Sequence, residues 1–228
     1  TTTTTTRTTA APAATAAAPA PRLIDQLADQ GASTTKVMTV DSPSWGSDTA
    51  TMILWQREST GWVQVAGPWF AWTGGGGWSY KPGESTRRSP IGSFSFGIGF
   101  GLSANPGYRL GWFVVHPTDY WVEDPSSHVY NTHQQGPASG TNVPWGHYEQ
   151  LSRQPVAYQY SALINFNVPV SGSARGSGIF LHVSKGASTA GCVSLPVSEL
   201  LTALRWIDGN TRIVMGPDSV IRTLRPGT

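Results

Sequence analysis

Apolar side chains recur in short alternating runs, not in long helical stripes. Residues 36–41 carry Val37, Met38 and Val40, residues 50–58 carry Met52, Ile53, Leu54 and Trp55, and residues 61–66 carry Trp62, Val63 and Val65. Short runs rich in β-branched and aromatic residues predict strands. Ser59-Thr60-Gly61 between the second and third predicts a hairpin turn. Residues 93–100 alternate strictly, with Phe94, Phe96, Ile98 and Phe100 on one face and Gly97 and Gly99, then Gly101, leaving the other nearly bare. Such a face accepts a close-packed backbone or a ligand. Further strands are predicted over 112–115, 162–168, 178–183 and 211–215. One helix starts at Pro196, follows Leu200, Leu201, Leu204 and Ile207 at helical spacing, and stops at Gly209. The pattern predicts a mainly β domain with a short helix near its C-terminus.

Composition refines this. Gly 26 and Pro 17 in 228 residues fit a turn-rich β fold. Residues 1–22 contain only Thr, Ala, Pro and Arg. They offer no large apolar side chain to offset the entropy of ordering, so they are expected to be a disordered tether. Residues 23–34 read as a short lead-in, with an amphipathic helix over 23–30, and residues 35–228 as the folded domain. The run Gly74-Gly75-Gly76-Gly77 reads as a loop. A net charge of +2 with no Lys/Arg cluster gives no nucleic-acid footprint. No run is long and apolar enough to predict a transmembrane segment. A single cysteine excludes an internal disulfide and draws attention to its thiol.

That cysteine is Cys192, preceded by Thr189-Ala190-Gly191; ten positions upstream, His182 lies near the end of the apolar run Ile179-Phe180-Leu181-His182-Val183. An imidazole that takes the thiol proton makes the thiolate, the competent nucleophile. A strand, a tight loop and a returning strand are expected to bring the pair together, with the N–H groups of Gly191 and Cys192 facing an oxyanion. By residue type alone, a lone Cys and a lone His among apolar residues are more often buried structure than catalysis. His116, His128, His133 and His147 form no H-E-x-x-H or H-x-H pattern and have no cysteine partners, so no metal is expected.

Leu181-His182-Val183 followed by Thr189-Ala190-Gly191-Cys192 resembles the signature of the L,D-transpeptidase catalytic domain, the YkuD-like family, in a short-loop branch. Arg88-Ser89-Pro90-Ile91-Gly92-Ser93-Phe94 is similar to its Thr-Pro-Ile-Gly-x-Phe stretch. Trp121-Val122-Glu123-Asp124-Pro125-Ser126-Ser127 and Tyr130-Asn131 are similar to a further segment of that branch. The resemblance spans about residues 35–216. It implies an L,D-transpeptidase-like β-sandwich, secreted or attached to the cell wall and acting on peptidoglycan stem peptides. Cys192 would be the nucleophile and His182 the base, with no cofactor. Thr189, Tyr130, Asn131 and Asp124 are its candidate substrate contacts. Two features depart from the family pattern: Ala190 replaces the usual histidine before Gly-Cys, and Val193-Ser194-Leu195 replaces the usual Arg or Asn soon after the cysteine. Three alternatives stand beside this reading. One is an L,D-carboxypeptidase with water as acceptor. Another is a wall-binding module with Trp72, Trp78 and Trp145 on its rim. The third is a sortase-like enzyme using Cys192 with His128 or His116 and Arg205.

Overall fold

The computed structural model describes residues 21–227. The tether expected over 1–22 therefore lies outside the described residues except for Pro21 and Arg22. Arg22 forms two hydrogen bonds to the Asp25 carboxylate, at 2.7 and 2.8 Å, and donates to the Trp62 carbonyl at 2.7 Å. The lead-in helix α1 (Leu23–Gln26) is shorter than expected.

Strands β1 (Lys36–Ser42), β2 (Thr49–Glu58) and β3 (Gly61–Trp72) form an antiparallel meander. Glu58 pairs with Gly61 across the expected turn. β3 runs six residues beyond its predicted end, because a register shift around Met52 and Leu54 accommodates Gly67-Pro68 without ending the pairing. Two short strands follow, β4 (Trp78–Ser79) and β5 (Ser89–Pro90), then β6 (Gly92–Phe94), β7 (Phe96–Gly101) and β8 (Trp112–Val114). β9 (Asp119–Val122), β10 (His133–Gln135) and β11 (Tyr148–Gln150) make a small antiparallel sheet with β9 in the centre. β12 (Ser161–Ile164), β13 (Phe180–Val183) and β14 (Val193–Leu195) lead into helix α2 (Val197–Trp206), strand β15 (Thr211–Pro217) and helix α3 (Asp218–Ile221).

The main sheet has ten strands in the order β6-β15-β1-β2-β3-β14-β13-β12-β7-β8, with parallel and antiparallel pairs. β6 and β7 are adjacent in the chain, yet β6 is one edge of this order and β7 lies next to the other edge. The sheet must therefore curl back on itself. This corrects the single strand expected over 93–100. The chain changes partners at Ser95, which is fixed by the Asn165 N–H on its carbonyl and the Asn165 amide on its hydroxyl, both at 2.9 Å. The glycine face is not a ligand surface: a Cβ on Gly99 would lie 2.6 Å from the rings of both Trp112 and Tyr108. Ile98 is exposed, unlike Phe94, Phe96 and Phe100.

Burial separates two apolar clusters. The larger lies against α2, whose Leu200, Ala203 and Leu204 face inward. The smaller contains Phe100, Trp121, Leu151, Tyr158, Leu163, Phe180 and Cys192. Phe100 is its centre, with ring centroids 5.4 Å from Phe113, 5.3 Å from Tyr158 and 5.0 Å from Phe180. No helix of the described residues is long and apolar enough to cross a membrane.

Truncating such a side chain leaves a cavity that the neighbouring rings cannot fill. Phe100→Ala is expected to destabilise the fold by about 3–5 kcal/mol, read as a shift in the urea midpoint. A loss below about 1 kcal/mol would show that this cluster does not support the smaller core.

Candidate active site

β14 is not the returning strand expected from the sequence. It lies parallel to β13, with Leu181 opposite Val193 and His182 opposite Ser194. The chain between them must travel back along the sheet before β14 begins, and residues 184–192 do so while pinned to the end of β3. The Thr189 N–H donates to the Thr73 carbonyl at 2.8 Å, and the Gly75 N–H donates to the Thr189 carbonyl at 3.0 Å. The glycine run makes room for this contact: a Cβ on Gly75 would meet the Ser188 hydroxyl at 2.9 Å, and one on Gly74 would meet the Arg87 carbonyl oxygen at 2.4 Å. Gly191 makes the last corner at φ +143°, where a side chain would meet the Arg88 carbonyl at 2.8 Å.

Cross-strand pairing then sets the face that carries the candidate pair. Phe100, Ser161, His182, Ser194 and Trp72 lie in one row across β7, β12, β13, β14 and β3. Cys192, two residues before Ser194, shares that face by strand alternation. It lies beside Phe180, whose N–H donates to its Sγ at 3.3 Å. Thiol and imidazole are therefore diagonal neighbours on one surface. They are not hydrogen-bonded to each other: the thiol donates to the Gly178 carbonyl at 3.3 Å.

The group that orients His182 is the Val183 carbonyl, 2.8 Å from Nδ1. A carbonyl can only accept, so the proton is on Nδ1 and Nε2 carries the free lone pair. Tyr158 packs edge-on to the imidazole at 5.8 Å. Both His182 and Cys192 are buried, at 6% and 8% exposure. Burial pushes the Cys192 thiol up to about 12; Glu149 and Glu123 add to the rise, and the Phe180 N–H opposes it. Burial pulls His182 down to about 4, with the Val183 carbonyl opposing and Lys185 adding to the fall. At neutral pH the resting pair is thus a neutral thiol and a neutral imidazole.

The pair opens into a cavity of about 650 Å³. Arg87, Arg88 and Lys185 supply cations to its wall, and Glu84, Glu123 and Glu149 supply carboxyls. The small sheet explains the last two. Glu149 is opposite Trp121 on β9, and Glu123 follows two residues after Trp121. All three side chains therefore share one face. Trp121 packs on Phe180 at 5.0 Å, so the two carboxyls on its face are carried into the cleft. Burial and the neighbouring Glu149 and Glu84 push Glu123 up to about 8. Burial likewise raises Glu149, against the opposing hydrogen bonds of Tyr158 and Gln154.

Of the sequence-predicted contacts, Thr189 lines the cavity, whereas Asp124, Tyr130 and Asn131 do not. Thr189 Oγ1 donates to the Cys192 carbonyl at 2.7 Å and accepts from the Gly191 N–H at 3.1 Å. The Gly191 N–H is thereby engaged within the loop, which leaves the Cys192 N–H as the remaining candidate of the two expected oxyanion donors. Asn131 joins two loops: its Oδ1 accepts from Trp121 Nε1 and the Gly178 N–H, both at 3.0 Å, and its amide donates to Asn167 at 2.9 Å. Asp124 accepts from Ser126 and the Gly146 N–H, and Tyr130 donates to Glu84. Sequence reading missed Glu84, Tyr158 and Ser194 as cleft residues, and quoted Glu123 only as part of a motif. They share no sequence pattern: Glu84 lies in a loop, Tyr158 in a short helical turn and Ser194 in the middle of β14. His116, His128 and Arg205 do not line the cavity, and Arg205 on α2 donates to the Pro106 carbonyl at 2.9 Å. Trp78, expected on a rim, is 2% exposed. Among the described residues no three His, Cys, Asp or Glu side chains are grouped to hold a metal.

The raised thiol has a direct consequence for stability. The folded state favours the protonated form, so Cys192 contributes stability that is present below the unfolded value of about 9 and lost as pH rises towards about 12. Cys192→Ala is expected to blunt the alkaline loss of stability over that window, measured by urea denaturation at pH 8 and pH 11. Iodoacetamide should label the folded wild type at pH 8 more slowly than it labels a free thiol. Labelling at the free-thiol rate would show that the sulfur is not enclosed. Compared with protein-family models, curated proteins and solved structures, the chain matches none.

Proposed function

We propose that this domain is a cysteine acyltransferase of the L,D-transpeptidase type, that its curled sheet is the corresponding β-sandwich, and that it acts on peptidoglycan stem peptides outside the cytoplasm. The observation that supports this most is the shared face: one thiol and one carbonyl-oriented imidazole, diagonal to each other, opening into a cleft large enough for a peptide. The chemistry follows from the groups present. Cys192 Sγ attacks the carbonyl of the L,D bond after the third residue of a tetrapeptide stem, while His182 Nε2 takes the thiol proton. The Cys192 N–H receives the oxyanion. The C–N bond breaks, His182 returns the proton to the leaving D-alanine amine, and a thioester remains. An amine of a second stem then displaces the sulfur and forms a cross-link. Water in that role gives an L,D-carboxypeptidase.

Intact-mass spectrometry after exposure to a carbapenem or to a tetrapeptide stem tests the assignment. A one-to-one adduct on the wild type, absent in Cys192→Ser, is expected. His182→Gln should slow its formation by about 10²–10⁴-fold. A wild type that remains unmodified by both reagents while folded would remove the enzyme reading and favour a binding module.

A further inference from the structure

Of the segment Arg88-Ser89-Pro90-Ile91-Gly92-Ser93-Phe94, only Arg88 lines the cavity. Ser89 is fully buried beneath it, at 0% exposure. Its hydroxyl nevertheless reaches the turn that carries the thiol. Ser89 Oγ lies 2.8 Å from the Gly191 carbonyl oxygen and 2.8 Å from the Gly74 nitrogen. An amide N–H can only donate and a carbonyl can only accept, so the hydroxyl proton goes to Gly191 and a lone pair faces Gly74. The backbone around Ser89 is itself held in place. β5 pairs with β4, the Ser89 N–H donates to the Gly77 carbonyl at 2.8 Å, and the Ile91 N–H donates to the Ser79 carbonyl at 2.9 Å.

Ser89 thereby holds one end of the peptide group that joins Gly191 to Cys192. That group is trans, since the cis bonds among the described residues are Gly67-Pro68 and Val168-Pro169. In a trans peptide the C=O and the N–H point in opposite directions from one rigid plane. A hydrogen bond that fixes the Gly191 carbonyl on its buried side therefore aims the Cys192 N–H the other way. Gly191 has no Cβ to restrict the tilt of that plane, so a fixed partner for its carbonyl has the larger effect. The neighbouring backbone groups are already engaged: Thr189 Oγ1 accepts from the Gly191 N–H at 3.1 Å and donates to the Cys192 carbonyl at 2.7 Å. Among the described residues the Cys192 N–H has no acceptor beyond its own sulfur.

We propose that Ser89 is a positioning residue for acyl transfer: its hydroxyl locks the Gly191–Cys192 peptide plane so that the Cys192 N–H faces the oxyanion formed at the attacked carbonyl. This role rests on the acyltransferase reading above. In the step it serves, the bond from Cys192 Sγ to the carbonyl carbon forms, His182 Nε2 takes the thiol proton, and the carbonyl π pair moves onto oxygen. A donor aligned before that charge develops needs no reorganisation when it arrives. The Ser89 hydrogen bond also polarises the peptide it holds, which makes the N–H of the same plane a stronger donor. Ser89 touches neither the sulfur nor the cleft, so it acts through this one peptide. A segment far from Cys192 in the chain thus sets the direction of the backbone group beside the thiol.

Two kinds of reagent ask different things of the same sulfur. A carbapenem or a tetrapeptide stem acylates Cys192 through an oxyanion, whereas iodoacetamide alkylates it at a saturated carbon and forms none. Ser89→Ala in the full chain should be acylated roughly 10- to 100-fold more slowly than wild type at saturating reagent, with the half-saturating concentration unchanged. Its labelling by iodoacetamide at pH 8 should proceed at the wild-type rate. Ser89→Thr, which keeps the hydroxyl, should restore acylation. If Ser89→Ala does not fold, Ser89→Thr and Ser89→Val, equal in shape, make the same comparison with and without the hydroxyl. Acylation of the hydroxyl-free variant at the wild-type rate would overturn the role. So would an alkylation rate that changes in step with acylation, because that marks a general loosening of the turn. In either case an acylated wild type leaves the acyltransferase reading standing. A wild type acylated by neither carbapenem nor stem removes that reading, and the role of Ser89 with it.

Discussion

The site depends on one constraint, the parallel pairing of β13 with β14. Parallel neighbours ordinarily need a long crossover. Here residues 184–192 make the return unaided, and the structure around them is arranged to permit it. The return segment donates to Thr73 and accepts from Gly75, just beyond β3, and the glycine run lets it approach within backbone distance. Gly191 turns the chain into β14 at an angle few other residues adopt. An antiparallel return would have started β14 beside Val183, at the far end of β13. The parallel one starts it beside Phe180 and places the sulfur one pleat from the imidazole.

The same geometry determines the electrostatics. Bringing Cys192 against Phe180 buries it in the aromatic cluster around Phe100, and His182 is buried by the same rings. Burial raises the thiol and lowers the imidazole, so both effects disfavour a preformed thiolate–imidazolium pair. The site does not store a thiolate. On the proposed reading, proton transfer accompanies attack, as charge moves from sulfur to the substrate carbonyl oxygen and towards the Cys192 N–H.

Much of this was legible in the sequence, and the limits have physical causes. The meander over residues 36–66, helix α2 and the closing strand follow from side-chain period, because each buries one face against the larger cluster. The break at Ser95 was not legible, since the alternation of Phe94, Phe96 and Phe100 continues across it while the partners change. Cys192 and His182 stood out by residue type. Their parallel arrangement did not, because direction is set by where a loop is anchored, here Thr73, Gly74 and Gly75. Asp124, Tyr130 and Asn131 drew a binding role from a recognisable segment, but they lie outside the cavity lining, and their polar atoms hold loops and Glu84. Glu123 and Glu149 enter the site only because Trp121 docks on Phe180, a contact between residues far apart in the chain.

The Val183 carbonyl has consequences beyond orientation. It comes from the residue next to His182, so it fixes the imidazole without help from position 190, where Ala190 contributes no side-chain hydrogen bond. A carboxylate in its place would hold the imidazole protonated more strongly, because an opposite charge favours the cationic form. A neutral carbonyl aligns the ring and leaves it a weak base. Thiol and imidazole are thus both unready at rest, for the same reason: the aromatic cluster that positions them also excludes water. On the proposed reading, activation comes with the substrate, whose carbonyl accepts the sulfur's electrons as the imidazole takes the proton. Rigid positioning and low resting reactivity are two results of one packing arrangement, so loosening the cluster would raise the second only at the expense of the first.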